Sequence, residues 1–287
     1  MTVLSEAAPA KVNLSLVVHG RRPDAYHELE SIVAFADAGD ELRLAPGDRF
    51  ELQIDGPFRA ALDGENLVAK AVRLATVASG GALRSGRIHL TKNLPVAAGL
   101  GGGSADAAAV LRLLLRANPD FVAALDWFAI ARQLGADVPV CLTSRAALMT
   151  GTGEQVSPIT ALPAAAILLV NPGVPLSTAR VFQALAAPPL SGTPPVPRAP
   201  DFRDFDHLIE ELAGATNALE PVARQLCPAI GDVLTFVLAM PGARLVRMSG
   251  SGPTCFALFA RSGEAAAAAR HVRAERPAWW AAAGMLG

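Results

Sequence analysis

Apolar and polar side chains alternate along residues 10–18, which is the pattern of a strand with one buried face. The opposite face of this strand carries three polar residues, Lys11, Asn13 and Ser15. Residues 41–45 and 50–54 also have strand character, and the Pro-Gly-Asp turn at 46–48 predicts a hairpin between them. The N-terminal part of the chain is therefore predicted to be rich in strands, one of which has a polar face that can carry functional residues.

Helical spacing of apolar residues predicts helices over residues 65–78, 104–116, 122–134, 178–186, 204–213, 220–239 (interrupted at Pro228) and 263–274. Further strands are predicted over residues 86–93, 146–150, 165–171, 243–248 and 254–260. The proline-rich stretch at 186–200 predicts a loop or an interdomain linker. Helices and strands mix in both halves without the regular alternation of a doubly wound sheet, which favours an α+β protein in two lobes.

Composition narrows the class of protein. The chain has 287 residues, of which 52% are hydrophobic and 18% charged, so it is not a disordered chain. Its net charge of −1 lacks the basic excess of a nucleic-acid binder. No apolar run reaches the ~18 residues of a membrane span, and Glu6 stands where a secretory signal would be basic or apolar. We therefore expect a cytoplasmic protein without a nucleic-acid, membrane or obligate protein partner.

The three cysteines, Cys141, Cys227 and Cys255, lie far apart among apolar neighbours. Their spacing fits neither a metal site nor a disulfide framework. They are predicted to be reduced core residues, in keeping with a cytoplasmic protein.

The strongest chemical signal is a glycine-rich loop at residues 94–106, with the sequence LPVAAGLGGGSAD. Four glycines within 99–103 expose backbone N–H groups, and the helix that follows points its positive dipole end at the same place. Such a loop binds phosphate, although a flexible connection or a tight helix–strand contact is the alternative. No Gly-Lys-Ser/Thr follows, and the glycine spacing departs from the dinucleotide fingerprint.

This loop resembles the ATP loop of the superfamily named for galactokinase, homoserine kinase, mevalonate kinase and phosphomevalonate kinase. Two more segments resemble the superfamily in the same order, PAKVNL at 9–14 and MSGSGPTCFALF at 248–259. Within it, GRRPDAYHEL at 20–29 and GADVP at 135–139 resemble the kinases that phosphorylate a cytidine diphosphate–linked polyol, 4-diphosphocytidyl-2-C-methyl-D-erythritol, in the non-mevalonate isoprenoid pathway. The matching segments span residues 9–259, nearly the whole chain.

The resemblance implies a two-lobed fold, with an N-terminal ribosomal-protein-like lobe at residues 1–160 and a ferredoxin-like C-terminal lobe at 161–287. It also implies that ATP is the co-substrate and that Mg²⁺ accompanies it. The residues that it assigns to the ATP loop are Pro95, Val96, Ala97, Ala98, Gly99, Leu100, Gly101, Gly102, Gly103, Ser104 and Ala105. No protein ligand of the metal is assigned, the Ser104 hydroxyl being the leading candidate.

The resemblance implies a reacting centre made of Lys11 and Asp137. Asp137 would orient or deprotonate the acceptor hydroxyl, and Lys11 would stabilise developing charge and keep Asp137 ionised. Taken alone, Asp137 also fits a carboxylate that caps the next turn, and Lys11 fits an ordinary solvated lysine. The amide of Asn13, on the same face as Lys11, could hydrogen-bond the polyol.

The resemblance also implies the substrate-binding residues. Tyr26 and Phe182 would sandwich the cytosine ring, His27 would hydrogen-bond it, the backbone of Thr152 would contact it, and Thr178 would lie near the polyol. Without the resemblance, the tyrosine and histidine fit an aromatic packing residue beside a surface histidine. The family usually has glycine where Ala25 stands, so the turn there must use a negative φ or carry strain. It usually has aspartate where Ala218 stands, which argues against a catalytic role at that position.

Overall fold

The protein is described here by a computed structural model covering residues 2–61, 65–194 and 197–287. The chain divides into two compact units. The first unit comprises Met1–Ala10, Gly39–Val96 and Gly101–Ser144, and the second comprises Lys11–Ala38, Ala97–Leu100 and Arg145–Gly287. Two strands, β1 (Leu4–Asn13) and β3 (His27–Ala45), continue through both units. The prediction of an α+β fold is confirmed.

The first unit packs a group of helices with a short sheet. Its other elements are β4 (Glu51–Asp55), α1 (Leu67–Ala78), β5 (Arg87–Thr91), α2 (Gly102–Ala117), α3 (Trp127–Leu134) and α4 (Val138–Thr143), with 3₁₀ turns at Arg59–Ala61 and Pro119–Phe121. Helix α2 is buried along most of its length and contacts α1, α3 and α4. Its alanine- and leucine-rich sequence lets these neighbours approach closely, so the residues after the glycine loop form the centre of this unit.

The predicted hairpin at residues 41–54 is wrong. Strand β5 lies between β3 and β4, antiparallel to β3 and parallel to β4. Parallel neighbours need a crossover connection rather than a tight turn, and the segment that holds α1 supplies it. The helix predicted at 122–134 begins only at Trp127, where the Asp126 side chain accepts a hydrogen bond from the Ala129 N–H at 2.8 Å.

The second unit is built on antiparallel strands. Its other elements are β2 (Val17–Arg21), β6 (Ala147–Gly151), β7 (Gln155–Pro158), β8 (Ala165–Asn171), α5 (Thr178–Leu185), α6 (Phe205–Ala213), α7 (Glu220–Leu226), α8 (Ala229–Leu238), β9 (Leu245–Met248), β10 (Cys255–Phe259), α9 (Ser262–Glu275) and β11 (Trp280–Leu286). Strand β3 pairs with β2 and β6, and β8 lies between β10 and β11. All seven residues of β8 are buried, which explains its apolar sequence from Ala165 to Val170.

The structure also tests the predictions for the cysteines, the proline-rich stretch and membrane-spanning segments. All three cysteines are free and buried, as predicted. The described part of the proline-rich stretch forms neither a helix nor a named strand, while residues 195 and 196 lie outside the described residues. None of the helices within the described ranges has the length and apolar character that crossing a bilayer requires.

Candidate active site

The glycine loop leads into a helix whose N-terminus has no side-chain cap. Gly101, the residue before α2, has φ +60° and no side chain with which to bond the first helical N–H groups. The first four N–H groups of a helix have no partner within it, and they carry the positive end of its dipole. The start of this 16-residue helix can therefore bind an anionic group such as phosphate.

The second unit brings three separated sequence motifs together at Ser249. The backbone N–H of Asn13 donates to Ser249 Oγ at 3.1 Å, and this hydroxyl donates to the carbonyl oxygen of Gly99 at 2.9 Å. The Thr254 N–H donates to the carbonyl oxygen of Ala98 at 3.3 Å. The N-terminal strand, residues 97–100 of the glycine loop and the C-terminal serine–glycine turn at residues 249–253 therefore form one hydrogen-bonded arrangement.

Gly99 is a position in this arrangement that does not tolerate a side chain. Its φ is +72°, and a Cβ there would clash with the Ser249 carbonyl oxygen and lie 2.9 Å from the Gly252 nitrogen. The left-handed conformation alone costs an L-residue ~1–2 kcal/mol, and these backbone neighbours add to that cost. We expect Gly99→Ala to lower the free energy of unfolding by about 2 kcal/mol or more, measured by chemical denaturation.

Gly102→Ala is the matched control for that measurement. Gly102 is helical, and the nearest atoms to a Cβ placed there lie 3.6 Å away. The free energy of unfolding of Gly102→Ala is expected to stay within about 1 kcal/mol of the wild type, since alanine is the better helix former. A Gly99→Ala protein as stable as Gly102→Ala would contradict the argument.

Lys11 and Asn13 are buried at the end of β1, with exposed fractions of 4% and 5%. The interpretation of Lys11 as an ordinary solvated lysine is therefore wrong. The Lys11 N–H donates to the carbonyl oxygen of Leu100 at 2.9 Å, which joins the strand to the glycine loop. The Asn13 amide nitrogen donates to Ser31 Oγ at 2.7 Å, and Ser31 in turn donates to the Ser15 carbonyl oxygen at 2.5 Å. This chain of hydrogen bonds fixes the orientation of the Asn13 amide.

Asp137 stands in the first unit as the residue immediately before α4. Its backbone is helical, with φ −81° and ψ −17°, and its side chain makes no capping hydrogen bond to that helix. The interpretation of this carboxylate as a helix cap is therefore wrong. Pro139 follows within the first turn of α4 and restricts the backbone next to the carboxylate. A half-buried carboxylate on such a restricted backbone is suited to an acid–base or orienting role.

The turn between β2 and β3 holds the predicted base-binding residues. The Tyr26 N–H donates to Asp24 Oδ1 at 3.1 Å, and the Arg22 guanidinium contacts Glu28 Oε2 at 3.1 Å. Ala25 adopts φ +70° in this turn. The departure from glycine at this position is therefore accommodated by a strained backbone rather than by a negative φ.

We expect Ala25→Gly to stabilise the protein by about 0.5–1 kcal/mol. Removing the strain of a left-handed alanine raises the free energy of unfolding by ~1–2 kcal/mol. The greater entropy of glycine in the unfolded chain offsets about half of this increase. Ala239, which is exposed and has φ −76° at the end of α8, supplies the control, because Ala239→Gly should only destabilise. Urea denaturation of both variants measures the two effects. A loss of stability in Ala25→Gly would show that the alanine is not strained.

Two predicted base-binding rings contact each other directly. The His27 and Phe182 rings have centroids 4.8 Å apart and are tilted by 31°, while Tyr26 is 65% exposed. Partial burial, together with the positive charge of Arg21, lowers the pKa of His27 below its usual value. The imidazole is therefore neutral at pH 7 and can donate or accept one hydrogen bond at each ring nitrogen.

Thr178 and Thr152 already have partners in this unit. The Thr178 and Ser251 hydroxyls are 2.8 Å apart, which ties α5 to the serine–glycine turn. The Thr152 N–H and hydroxyl donate to Glu154 Oε2 at 2.6 and 2.7 Å. Burial opposes ionisation of Glu154, but these hydrogen bonds outweigh it and lower its pKa. Because the Thr152 N–H is occupied, a backbone contact of this residue with a base would involve its carbonyl oxygen.

Asn217 is a structural element of the site that sequence reasoning missed. Its buried amide nitrogen donates to the carbonyl oxygens of Met248 and Gly250, both at 2.8 Å, and its Oδ1 accepts from the Leu219 N–H. The adjacent Ala218, which lacks the carboxylate usual in the family, instead pairs through its backbone N–H with the Leu16 carbonyl oxygen. Asn217 therefore shapes the serine–glycine turn. The feature of the sequence that could have pointed to it is its position directly before Ala218, where this chain differs from the family.

Within the part of the chain that the structure describes, no group of three or more His, Cys, Asp or Glu side chains could hold a metal ion. A metal that accompanies a triphosphate takes most of its ligands from phosphate and water. The predicted Mg²⁺ is compatible with this chain as a companion of the nucleotide, with the Ser104 hydroxyl in the first turn of α2 as the candidate protein ligand.

Comparison with known proteins identifies the family. The N-terminal domain of the GHMP kinases matches residues 66–145, and their C-terminal domain matches residues 196–278. A solved homoserine kinase from Cytophaga hutchinsonii shares the fold, with a TM-score of 0.68 and 18% identity over all of this chain and 95% of that one.

Closer relatives share a more specific name. Proteins named 4-diphosphocytidyl-2-C-methyl-D-erythritol kinase from Methylorubrum extorquens and Methylobacterium radiotolerans are 49% and 50% identical, each over 98% of both chains. A crystal structure of 4-(cytidine 5′-diphospho)-2C-methyl-D-erythritol kinase matches with a TM-score of 0.78 and 38% identity over 99% of both chains. This chain therefore belongs to the 4-diphosphocytidyl-2-C-methyl-D-erythritol kinases, a family of the GHMP kinases.

Proposed function

We propose that this kinase transfers the γ-phosphoryl group of ATP to the 2-hydroxyl of 4-diphosphocytidyl-2-C-methyl-D-erythritol, a step of the non-mevalonate route to isoprenoid precursors. The observation that carries the proposal is the 49% identity to a relative of that name over 98% of both chains. Two features support it, the uncapped N-terminus of α2 for ATP and the His27–Phe182 ring pair for the cytosine.

We propose that ATP binds with its phosphates on the glycine loop, residues 95–105. The loop supplies backbone N–H groups, and the dipole of α2 adds positive potential at the same place. Mg²⁺, when bound with the nucleotide, neutralises part of the phosphate charge. Ser104 is the residue of this chain that would contact the metal.

The proposed reacting groups are Asp137 and Lys11. Asp137 orients the acceptor hydroxyl and takes up its proton as the bond to phosphorus forms. Lys11 stabilises the negative charge that develops on the transferring group. Its burial supports this role, because a lysine removed from water acts strongly on nearby charge. Asn13, held by Ser31, would donate or accept a hydrogen bond with the polyol.

The proposed substrate contacts lie in the second unit. Phe182 and Tyr26 stack on the cytosine ring, and the neutral His27 hydrogen-bonds its edge. The 65% exposure of Tyr26 supports this assignment, because a ring packed in the core could not receive a ligand. The Thr178 hydroxyl lies on the polyol side, and the Thr152 carbonyl oxygen is available to the amino group of cytosine.

The test compares three acceptors in an assay of ADP release: the cytidylylated polyol, mevalonate and homoserine. We expect turnover with the first acceptor alone, and ³¹P NMR of the product should show a new phosphate monoester beside the intact diphosphate. Turnover with mevalonate or homoserine would indicate another kinase of the superfamily. ATP binding without turnover on any acceptor would indicate a nucleotide-binding protein that has lost its chemistry.

A further inference from the structure

The first unit contains a buried ion cluster whose residues are not among those proposed for catalysis. The Lys92 ammonium lies 2.5 Å from Asp40 Oδ2 and 2.6 Å from Asp106 Oδ2. The exposed fractions of the three residues are between 2% and 4%. Burying three charges is costly unless they are well paired, so a cluster of this kind calls for an explanation.

The cluster connects the segment that enters the glycine loop to the helix that leaves it. Asp40 Oδ1 accepts hydrogen bonds from the N–H groups of Asn93 at 2.6 Å and Leu94 at 2.9 Å, directly before the loop. Asp106 belongs to the second turn of α2, and Lys92 follows the end of β5. The Lys92–Asp106 contact is thus a side-chain tie between the two ends of the loop.

Gly102, the first residue of α2, lies next to the same cluster. A Cβ added there would lie 3.6 Å from both Asp40 Oδ2 and Lys92 Nζ. The first turn of α2, whose N–H groups are proposed to bind the phosphates, therefore begins beside the ammonium and the Asp40 carboxylate.

The charges of the cluster argue against a direct contact between Lys92 and phosphate. One ammonium faces two carboxylates, and both of these accept its hydrogen bonds at close range. Burial and the charge of Asp40, partly offset by Lys92, raise the pKa of Asp106 to about 7, and Asp106 Oδ1 has no hydrogen-bond partner among the described residues. A lysine engaged in this way adds no net positive charge for a polyanion.

We propose that Lys92 is a positioning residue for ATP, whose ammonium, held between Asp40 and Asp106, fixes the start of α2 relative to residues 93–94 and thereby the spacing of the phosphate-binding N–H groups. The inference rests on the proposed kinase function. It predicts that the cluster affects the binding of ATP and does not affect the binding of the acceptor.

Two substitutions at Asp106 separate this role from a simple effect of charge. Asp106→Asn and Asp106→Ala remove the same charge, but asparagine keeps an oxygen that accepts from Lys92, whereas alanine breaks the tie. We expect Asp106→Asn to keep the KM for ATP within about twofold of the wild type. Asp106→Ala should raise it roughly tenfold, equivalent to about 1.4 kcal/mol, with the KM for the acceptor unchanged.

Calorimetry with ATP alone and thermal melts of the same proteins complete the experiment. Equal ATP affinity in folded Asp106→Ala and Asp106→Asn would overturn the inference, as would parallel changes in the KM of ATP and acceptor. If Asp106→Ala does not fold, Asp106→Ser provides the same comparison, because its shorter hydroxyl falls short of Lys92. A wild-type protein that bound no ATP would overturn the proposed function and the inference together. One that bound ATP but used a different acceptor would overturn the proposed function alone.

Discussion

Asp137→Asn is expected to lower kcat by about two to four orders of magnitude, the usual contribution of a positioned acid–base group, while ATP binding stays intact. Asparagine has the shape of aspartate but cannot accept the proton of the acceptor hydroxyl. The Asp137 side chain makes no capping hydrogen bond to α4, so the substitution removes no helix cap. Steady-state kinetics and an ATP titration of the variant test the prediction.

Asp126→Asn is the matched control. Asp126 also precedes a helix of the first unit, but its side chain caps α3 through the Ala129 N–H. Asparagine is an equally good cap, so this variant should keep its kcat within about twofold and its stability nearly unchanged. Near-normal turnover of Asp137→Asn in this assay would remove Asp137 from the mechanism.

Sequence patterns predicted the fold correctly for elements whose own residues show which of their faces are buried. Helix α1 shows its buried face every three or four residues, and β8 is an apolar run because the side chains on both of its faces are buried. Such elements can be assigned from sequence because their own residues carry the whole signal.

Elements defined by distant partners could not be predicted in this way. Strand β11 has the sequence WAAAGML, whose alanines favour a helix, and it is extended because it pairs with β8 along seven residues. The place of β5 between β3 and β4 depends on the crossover through α1 and not on the turn at 46–48. Both failures arise from pairing between segments far apart in sequence.

The residues of the candidate site also fall into a group that the sequence predicted and a group that it did not. Motif resemblance assigned the residues proposed to touch ligands, such as Lys11 and Asp137. The residues that support them, Ser31, Asn217 and Lys92, were not predicted, because their roles consist of hydrogen bonds to partners 14 to 52 residues away in the chain. A single buried serine or lysine has no sequence pattern of its own.

Phe182→Ala is expected to weaken binding of the cytidylylated acceptor by roughly five- to 150-fold. A base stacked on an aromatic ring is worth ~1–3 kcal/mol, and ~1.4 kcal/mol corresponds to a factor of ten. The ring also packs on His27 at 4.8 Å, so its loss frees the imidazole that is proposed to read the base. Tyr26→Ala should give an effect in the same range by removing the opposite face of the sandwich.

His27→Ala should act on selectivity more than on affinity. The neutral imidazole distinguishes cytosine from uracil by one hydrogen bond at the base edge, so its removal should narrow the preference for the cytidine substrate over its uridine analogue. The measurement is the KM of both acceptors for wild type, the three variants and Phe128→Ala, whose exposed ring on α3 serves as the control. The KM for ATP should stay unchanged throughout. If both aromatic truncations leave the acceptor KM at the wild-type value in a folded protein, the stacking assignment is wrong, and the Tyr-His segment is a packing feature of the turn between β2 and β3.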